Sequence, residues 1–256
     1  MTAQDLVLAA VAAIFTDFDV DTAKGLLAPD YIQHNTAVPT GAAPVLGFIP
    51  GLEQSGIALT THRVLSEGDM VVLHNTYANA QALGAETLVA FDVFRVQDGR
   101  VVEHWDNLQV PPTETASGRS MTDGPTEVVD LALTGENKAL VKGFIADVLH
   151  GGAPERITTY ISPELYLQHN PLVGDGLDGL GAALTAMAEA GQAMAYSETH
   201  IVVGQGNFVF AASEGTIGDT PTAFFDLFRV ADGKIVEHWD TVSEIPADMA
   251  HENGKF

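Results

Sequence analysis

Phe91-Asp-Val-Phe-Arg-Val-Gln-Asp-Gly-Arg-Val-Val-Glu-His-Trp-Asp106 is written a second time as Phe225-Asp-Leu-Phe-Arg-Val-Ala-Asp-Gly-Lys-Ile-Val-Glu-His-Trp-Asp240, 134 positions on and with 12 of 16 residues identical. In each copy two strand-like runs flank an Asp-Gly pair, the pattern of a β-hairpin. Upstream, Tyr31-Ile-Gln-His-Asn35 recurs as Tyr166-Leu-Gln-His-Asn170, and His62 to Asp69 has a weaker echo in His200 to Asn207. A repeat of about 134 residues has the size of a whole domain, so the chain is a two-domain duplication and not a solenoid. The expected division is a first copy over 1–121, a linker over 122–135 and a second copy over 136–256. The stretch Val110 to Pro125, rich in Pro, Gly, Ser and Thr, reads as tail plus linker.

Each copy has the same coarse order. Two helices are predicted first (Gln4–Phe18 and Asp21–Leu27; Glu136–Leu149 and Pro154–Ile161). The Tyr-x-Gln-His-Asn segment follows as a loop-like stretch, then a third helix (Ala42–Gln54; Leu177–Ala190). Four strands close the first copy, near Ala58–Ser66, Val71–Asn79, Thr87–Val96 and Arg100–Val110. Helices followed by strands argue for an α+β domain with helices on one face of an antiparallel sheet.

Composition narrows the function. Of 256 residues, 46% are hydrophobic and 18% charged, which suits a packed core and rules out disorder as a class. Lys plus Arg number 11 against 34 Asp plus Glu, a formal charge of −23, so nucleic acid and anionic membranes are disfavoured partners. No cysteine is present, which excludes disulfides, thiolate nucleophiles and Cys-ligated zinc. The longest apolar run, Leu6–Phe15, is too short to span a bilayer and lacks a basic region before it, so the expected location is cytoplasmic.

The hairpin decides which side chains meet. Gln97-Asp98-Gly99-Arg100 reads as a type I turn with Gly99 in the left-handed bulge position. That register closes Val96 against Arg100, Asp92 against His104 and Phe94 against Val102, with Asp106 next on the same face. The other face carries Phe91, Val93, Arg95, Val101, Glu103 and Trp105, with Arg95 and Glu103 diagonal. A two-residue Asp-Gly type I′ turn would instead set Asp92 against Trp105 and separate the Asp–His pair.

These segments together resemble the SnoaL-like polyketide-cyclase group of the nuclear transport factor 2-like superfamily, most closely its subgroup of aldol-condensation enzymes. The resemblance covers nearly all of each copy. It implies two tandem cone-shaped α+β barrels, each a curved antiparallel sheet wrapped by helices around a pocket. It also implies acid–base chemistry on carbonyl compounds without metal or organic cofactor, and an intrachain pseudo-dimer with room for a further homodimer. Copy one departs from the pattern at Thr36, where copy two keeps Pro171, and His74 has no counterpart in Val209-Phe-Ala-Ala212.

Proton abstraction α to a carbonyl needs a base and a group that steadies the enolate, and a carboxylate desolvated among apolar residues can serve near neutral pH. Asp106 and Asp240 are the expected acid/base groups, with His104 and His238 as partners oriented by Asp92 and Asp226. His34 and His169 are candidate proton carriers at the pocket rim. They compete with a reading in which His and Asn tie down the loop backbone. Asn35, Asn170, His74, Phe94 and Phe228 complete the expected substrate-contacting set. Trp105 and Trp239 read as packing residues, and His62 and His200 as solvated.

No His-x-His or His-Glu-x-x-His spacing occurs, and neither GxGxxG, a P-loop nor Gly-x-Ser-x-Gly is present, so no metal or cofactor is expected. The expected partner is a small carbonyl substrate or apolar ligand. Three other readings stay open: a non-catalytic binding module, a dehydratase or epoxide hydrolase on the same scaffold, and an interaction protein using its outer sheet faces.

Overall fold

Thr2 starts the first helix, α1 (Ala3–Phe15), through a capping box: its hydroxyl accepts the Asp5 N–H at 3.1 Å and the Asp5 carboxylate accepts the Thr2 N–H at 3.0 Å. Leu6, Val7, Ala10, Val11 and Ile14 then recur at three- and four-residue steps and form its buried side. A computed structural model describes residues 1–256 and divides them into two units, Met1–Val110 with Pro246–Phe256, and Pro111–Ile245.

In unit one, α1 and α2 (Val20–Leu26) precede β1 (Leu27–Gln33). Helix α3 (Ala42–Ser55) then leads to β2 (Ala58–Glu67), β3 (Met70–Ala78), β4 (Thr87–Gln97) and β5 (Arg100–Gln109). The five strands are ordered β1-β5-β4-β3-β2, with β1 parallel to β5 and the other pairs antiparallel. Val71, Leu73, Ala90 and Phe94 of the sheet form one core with Leu6, Val7, Val11, Ile49 and Leu52 of the helices.

Unit two repeats this order with α4 (Thr134–Phe144), α5 (Ile157–Tyr160), β6 (Leu167–Gln168), α6 (Gly176–Glu189), β7 (Met194–Gln205), β8 (Phe208–Ile217), β9 (Thr220–Ala231) and β10 (Lys234–Glu244). Its sheet runs β6-β10-β9-β8-β7. Val141, Phe144 and Ile145 pack there on Val209, Ala211 and Phe228.

The α+β class and the tandem organisation agree with the sequence reading, and four features differ from it. The sheets are mixed and open, because the Tyr-x-Gln-His-Asn segment is not a loop: its first residues end a parallel edge strand, β1 or β6. Pro29 within β1 lacks an N–H and is tolerated because the strand is an edge. The predicted helix over 136–149 ends at Phe144 and continues as a π-helical turn over 145–149, and that over 154–161 shrinks to a 3₁₀ turn and one α-turn.

The hairpin turn is also of the other type. Asp98 (φ +51°) and Gly99 (φ +75°) are both left-handed, so the turn is type I′ and pairs Gln97 with Arg100. A bulge follows at once. Val96 pairs with Val101 but Arg95 with Glu103, leaving Val102 as the extra residue. Beyond it Phe94 faces His104 and Asp92 faces Asp106. Unit two repeats both devices, with Asp232 and Gly233 left-handed and Asp226 facing Asp240.

Gly99 and Gly233 have open space around a notional Cβ, so the cost of a side chain there is conformational alone. Gly99→Ala and Gly233→Ala are each expected to lower stability by about 1 kcal/mol, read as a shift in the urea midpoint of the full-length protein.

Candidate functional site

Each unit gathers the same residues on the helix-facing side of its sheet: Asp92, His104 and Asp106 in unit one, and Asp226, His238 and Asp240 in unit two, all buried. In both groups one ligating atom from each residue lies within 4.8 Å of the others. Strand pairing explains the grouping, since the two Asp are cross-strand partners and the His is two residues before the second Asp on the same face.

In unit two, His238 Nε2 lies 2.9 Å from Asp226 Oδ1, and Nδ1 lies 2.9 Å from Gln168 Oε1. That same Gln168 oxygen accepts the backbone N–H of Asn170 at 3.0 Å, which fixes it as the oxygen and makes His238 Nδ1 a donor. Asn170 Nδ2 donates to Asp240 Oδ2 at 2.6 Å. The other carboxylate oxygen, Asp240 Oδ1, is buried and has no hydrogen-bond partner.

Burial raises the Asp240 carboxyl to about 6, and the charge of Asp226 adds to it, against the opposing His238 and Asn170. For His238 burial works downward, but the hydrogen bond to Asp226 and the charges of Asp240 and Asp226 outweigh it and raise the imidazole. A protonated imidazole fits the geometry, because both ring nitrogens then donate. Phe228 stacks on the ring at 4.9 Å and supplies apolar walling.

Unit one copies the frame. Gln33 Oε1 lies 2.9 Å from His104 Nδ1 and accepts the Asn35 N–H at 2.8 Å. Asn35 Nδ2 donates to Asp106 Oδ2 at 2.5 Å, and Phe94 stacks on His104 at 4.6 Å. The Asp92–His104 contact is longer, 3.3 Å, because Asp92 Oδ2 also accepts from Asn75 Nδ2 (2.7 Å) and Tyr77 Oη (3.0 Å).

Asp226 is met instead by the Tyr196 hydroxyl at 3.2 Å. Tyr77 pairs with Leu59 across β3 and β2, whereas Tyr196 pairs with Gly215 across β7 and β8. The phenol has therefore changed strand while keeping its carboxylate. Burial raises both phenols well above their ordinary value, so they stay protonated donors.

The structure thus brings Asp92, His104, Asp106, Asn35 and Phe94 together in one unit, and Asp226, His238, Asp240, Asn170 and Phe228 in the other. It does not bring His34 or His169 to these clusters. Both stand one residue after the Gln, so the period-2 alternation turns them to the opposite face. His34 lies 3.0 Å from Glu103 and stacks on Trp105 at 4.9 Å; His169 lies 2.8 Å from Glu237 and stacks on Trp239 at 4.6 Å. His74 is also on that face, stacked on Phe91 at 4.3 Å with Arg63 Nη1 3.1 Å from its Nδ1.

Arg95 and Glu103 are directly opposite, not diagonal, and form an ion pair. Gln33, Gln168, Tyr77 and Tyr196 are site residues that sequence reasoning missed. For the Gln pair the signal was present, since both repeats carry Gln immediately before His-Asn.

Two carboxylates and an imidazole are also a donor set that can hold a divalent cation. In unit two, however, the His238 nitrogens are committed to Gln168 and Asp226, so a metal would have to displace the Asp226 bond. A further group, Glu198, His200 and Glu214, lies on the surface strands β7 and β8. No helix is long and apolar enough to cross a membrane.

Residues 7–104 and 141–238 each match the family model described as a SnoaL-like domain. No curated protein matches the chain. Among solved structures it is similar to IdmH from Streptomyces antibioticus, described provisionally as a polyketide cyclase (20% identity, 43% of this chain and 93% of that one, TM-score 0.36). It is also similar to an NTF2-like protein of unknown function from Cytophaga hutchinsonii (18%, 43% and 91%, TM-score 0.35). A third is an LEH-like epoxide hydrolase from M. tuberculosis (20%, 42% and 82%, TM-score 0.34).

Proposed function

Because the chain belongs to the SnoaL-like domain family, with one such domain in each unit, we propose that it is an acid–base enzyme that moves a proton at the carbon α to a carbonyl, as in aldol condensation or cyclisation. The observation that carries this reading is Asp240: one carboxylate oxygen is held by Asn170 and the other, Oδ1, is buried without a partner. A carboxylate so placed is poised to take a proton from carbon, which itself offers no hydrogen bond to compete.

In the proposed cycle Asp240 Oδ1 accepts the α-proton and later returns it. Negative charge that develops on the carbonyl oxygen is offset by the charge of the His238 imidazolium, whose two N–H groups stay on Gln168 and Asp226. Tyr196 keeps Asp226 hydrogen-bonded and turned towards His238. Asp106, His104 and Asp92 are the corresponding set in unit one.

The test is deuterium uptake at the α-carbon of ketones, β-keto esters and aromatic polyketide mimics in D₂O, followed against pH. Asp240 must be ionised to act as base and its carboxyl titrates near 6, so exchange rises as pH passes through about 6. His238 must keep its proton, so exchange falls again once pH exceeds its raised value. A flat profile between pH 4 and 9, or no exchange with ligands that still raise the melting temperature, rejects the proposal in favour of a binding module.

A further inference from the structure

The C-terminal segment, residues 246–256, belongs to unit one and lies along the exit of β1. Its ties are specific. Ala250 N–H donates to Thr36 O at 2.9 Å, His251 Nε2 lies 2.9 Å from Asn35 O, Asn253 Nδ2 donates to Gln33 O at 2.9 Å, and Gly254 O lies 2.9 Å from His34 Nδ1. This strap delivers Lys255 into the protein. The Lys255 side chain is 6% exposed, and Nζ lies 2.6 Å from Asp106 O and 3.8 Å from Asp106 Oδ1. Asp106 Oδ1 itself is buried and accepts no hydrogen bond.

Unit two has a matching strap in which the amine is missing. Ser117 Oγ donates to Gln168 O at 2.7 Å, as Asn253 does to Gln33 O. Gly118 and Gly254 are both left-handed. The carbonyl that meets Nδ1 of His34 is that of Gly254, and the one that meets Nδ1 of His169 is that of Ser120, so the residue that follows is Lys255 in unit one and the buried Met121 in unit two. Arg119 turns outward and pairs with Asp175 on the surface. Only the unit-one strap therefore sets a primary amine beside the acid/base carboxylate.

We propose that Lys255 is the carbonyl-capturing amine of site one, forming a reversible imine with a small ketone or aldehyde while Asp106 carries the protons. This rests on the reading that these sites take carbonyl compounds. The Nζ lone pair adds to the carbonyl carbon, and the π electrons move to oxygen, which takes up a proton. Water then leaves with both hydrogens of the amine, and the C=N bond forms in place of C=O. No oxidant or reductant is needed, and hydrolysis reverses the step. Once protonated, the imine acidifies its α C–H, and Asp106 Oδ1 is the adjacent acceptor. Burial also lowers the Lys255 amine from its ordinary range, with Asp106 opposing in part, which favours the neutral nucleophile.

Full-length protein is incubated with acetaldehyde, acetylacetone or ethyl acetoacetate and sodium cyanoborohydride at pH 7. Cleavage after Glu252 then releases the peptide Asn253–Phe256 for mass analysis. Lys255 is expected to be alkylated at least about tenfold faster than the exposed Lys24 and Lys142, in line with a larger neutral fraction. Lys255→Arg, which keeps a hydrogen-bond donor at the end of the strap, is expected to remove that label, and a cooperative melting curve checks that the variant is folded.

Labelling of Lys255 no faster than Lys24 and Lys142 overturns the imine. If α-deuterium exchange dependent on Asp240 persists in that case, the acid–base reading stands without it. If Lys255 is trapped but no α-exchange occurs at either site, the imine is supported and the acid–base reading falls.

Discussion

Asp240→Asn lowers α-deuterium exchange at site two by about 10²–10⁴-fold, the usual worth of a positioned acid/base group. The substitution is isosteric, and its amide oxygen still accepts the Asn170 hydrogen bond, so a loss of that size reports chemistry and not collapse. Stability moves the other way. A carboxyl whose folded pKa is raised from 3.8 to about 6 favours folding while protonated, and that contribution is lost as pH rises through about 6. Wild type therefore carries a cost at pH 8 that the Asn variant escapes, about 3 kcal/mol by the size of the shift. The variant is expected to melt higher than wild type at pH 8 and to lose that advantage at pH 4. Asp106→Asn and the double variant apportion the residual exchange between the two sites. Exchange unaffected by Asp240→Asn would remove the proposed base.

The hairpin shows why the faces were legible in the sequence even though its turn was misread. A type I′ turn slips the register by one, which alone would have put Asp92 against Trp105. The bulge at Val102 slips it by one more. Side chains alternate with period 2, so two single slips restore the residues beyond the bulge to their expected face and change only their partners, whereas Val101, before the bulge, turns to the helix side with Val96. Asp92 lost His104 as its direct opposite and gained Asp106, yet all three stayed together.

The same alternation was available upstream and would have separated Gln33 from His34, had the segment been read as a strand. Pro29 and the short apolar content of Leu27–Gln33 concealed it, since a parallel edge strand pairs on one side only. The Tyr77-to-Tyr196 exchange was hidden because the two copies differ at both positions. Lys255 carried no signal at all: its role depends on a strap whose path no local pattern encodes.

Glu237→Leu is expected to cost about 3–5 kcal/mol, the price of leaving buried charges without their counter-ion. Glu237 is 0% exposed, with Oε1 2.8 Å from His169 Nε2 and Oε2 2.7 Å from Arg229 Nε. Gly124 closes over it so tightly that a Cβ there would sit 2.7 Å from Glu237 Oε1. Its counterpart Glu103 is 14% exposed by side chain, so Glu103→Leu leaves Arg95 and His34 partly hydrated. That variant should cost only about 1–2 kcal/mol. Hydrogen exchange of the full-length protein, which reports each unit separately, reads both losses. The comparison also decides what His169 does. As a strut between Glu237 and the Ser120 carbonyl it is replaceable by Gln with a loss of stability and an unchanged exchange profile. As a proton carrier it is not, and His169→Gln would then silence α-exchange in a protein that melts like the wild type.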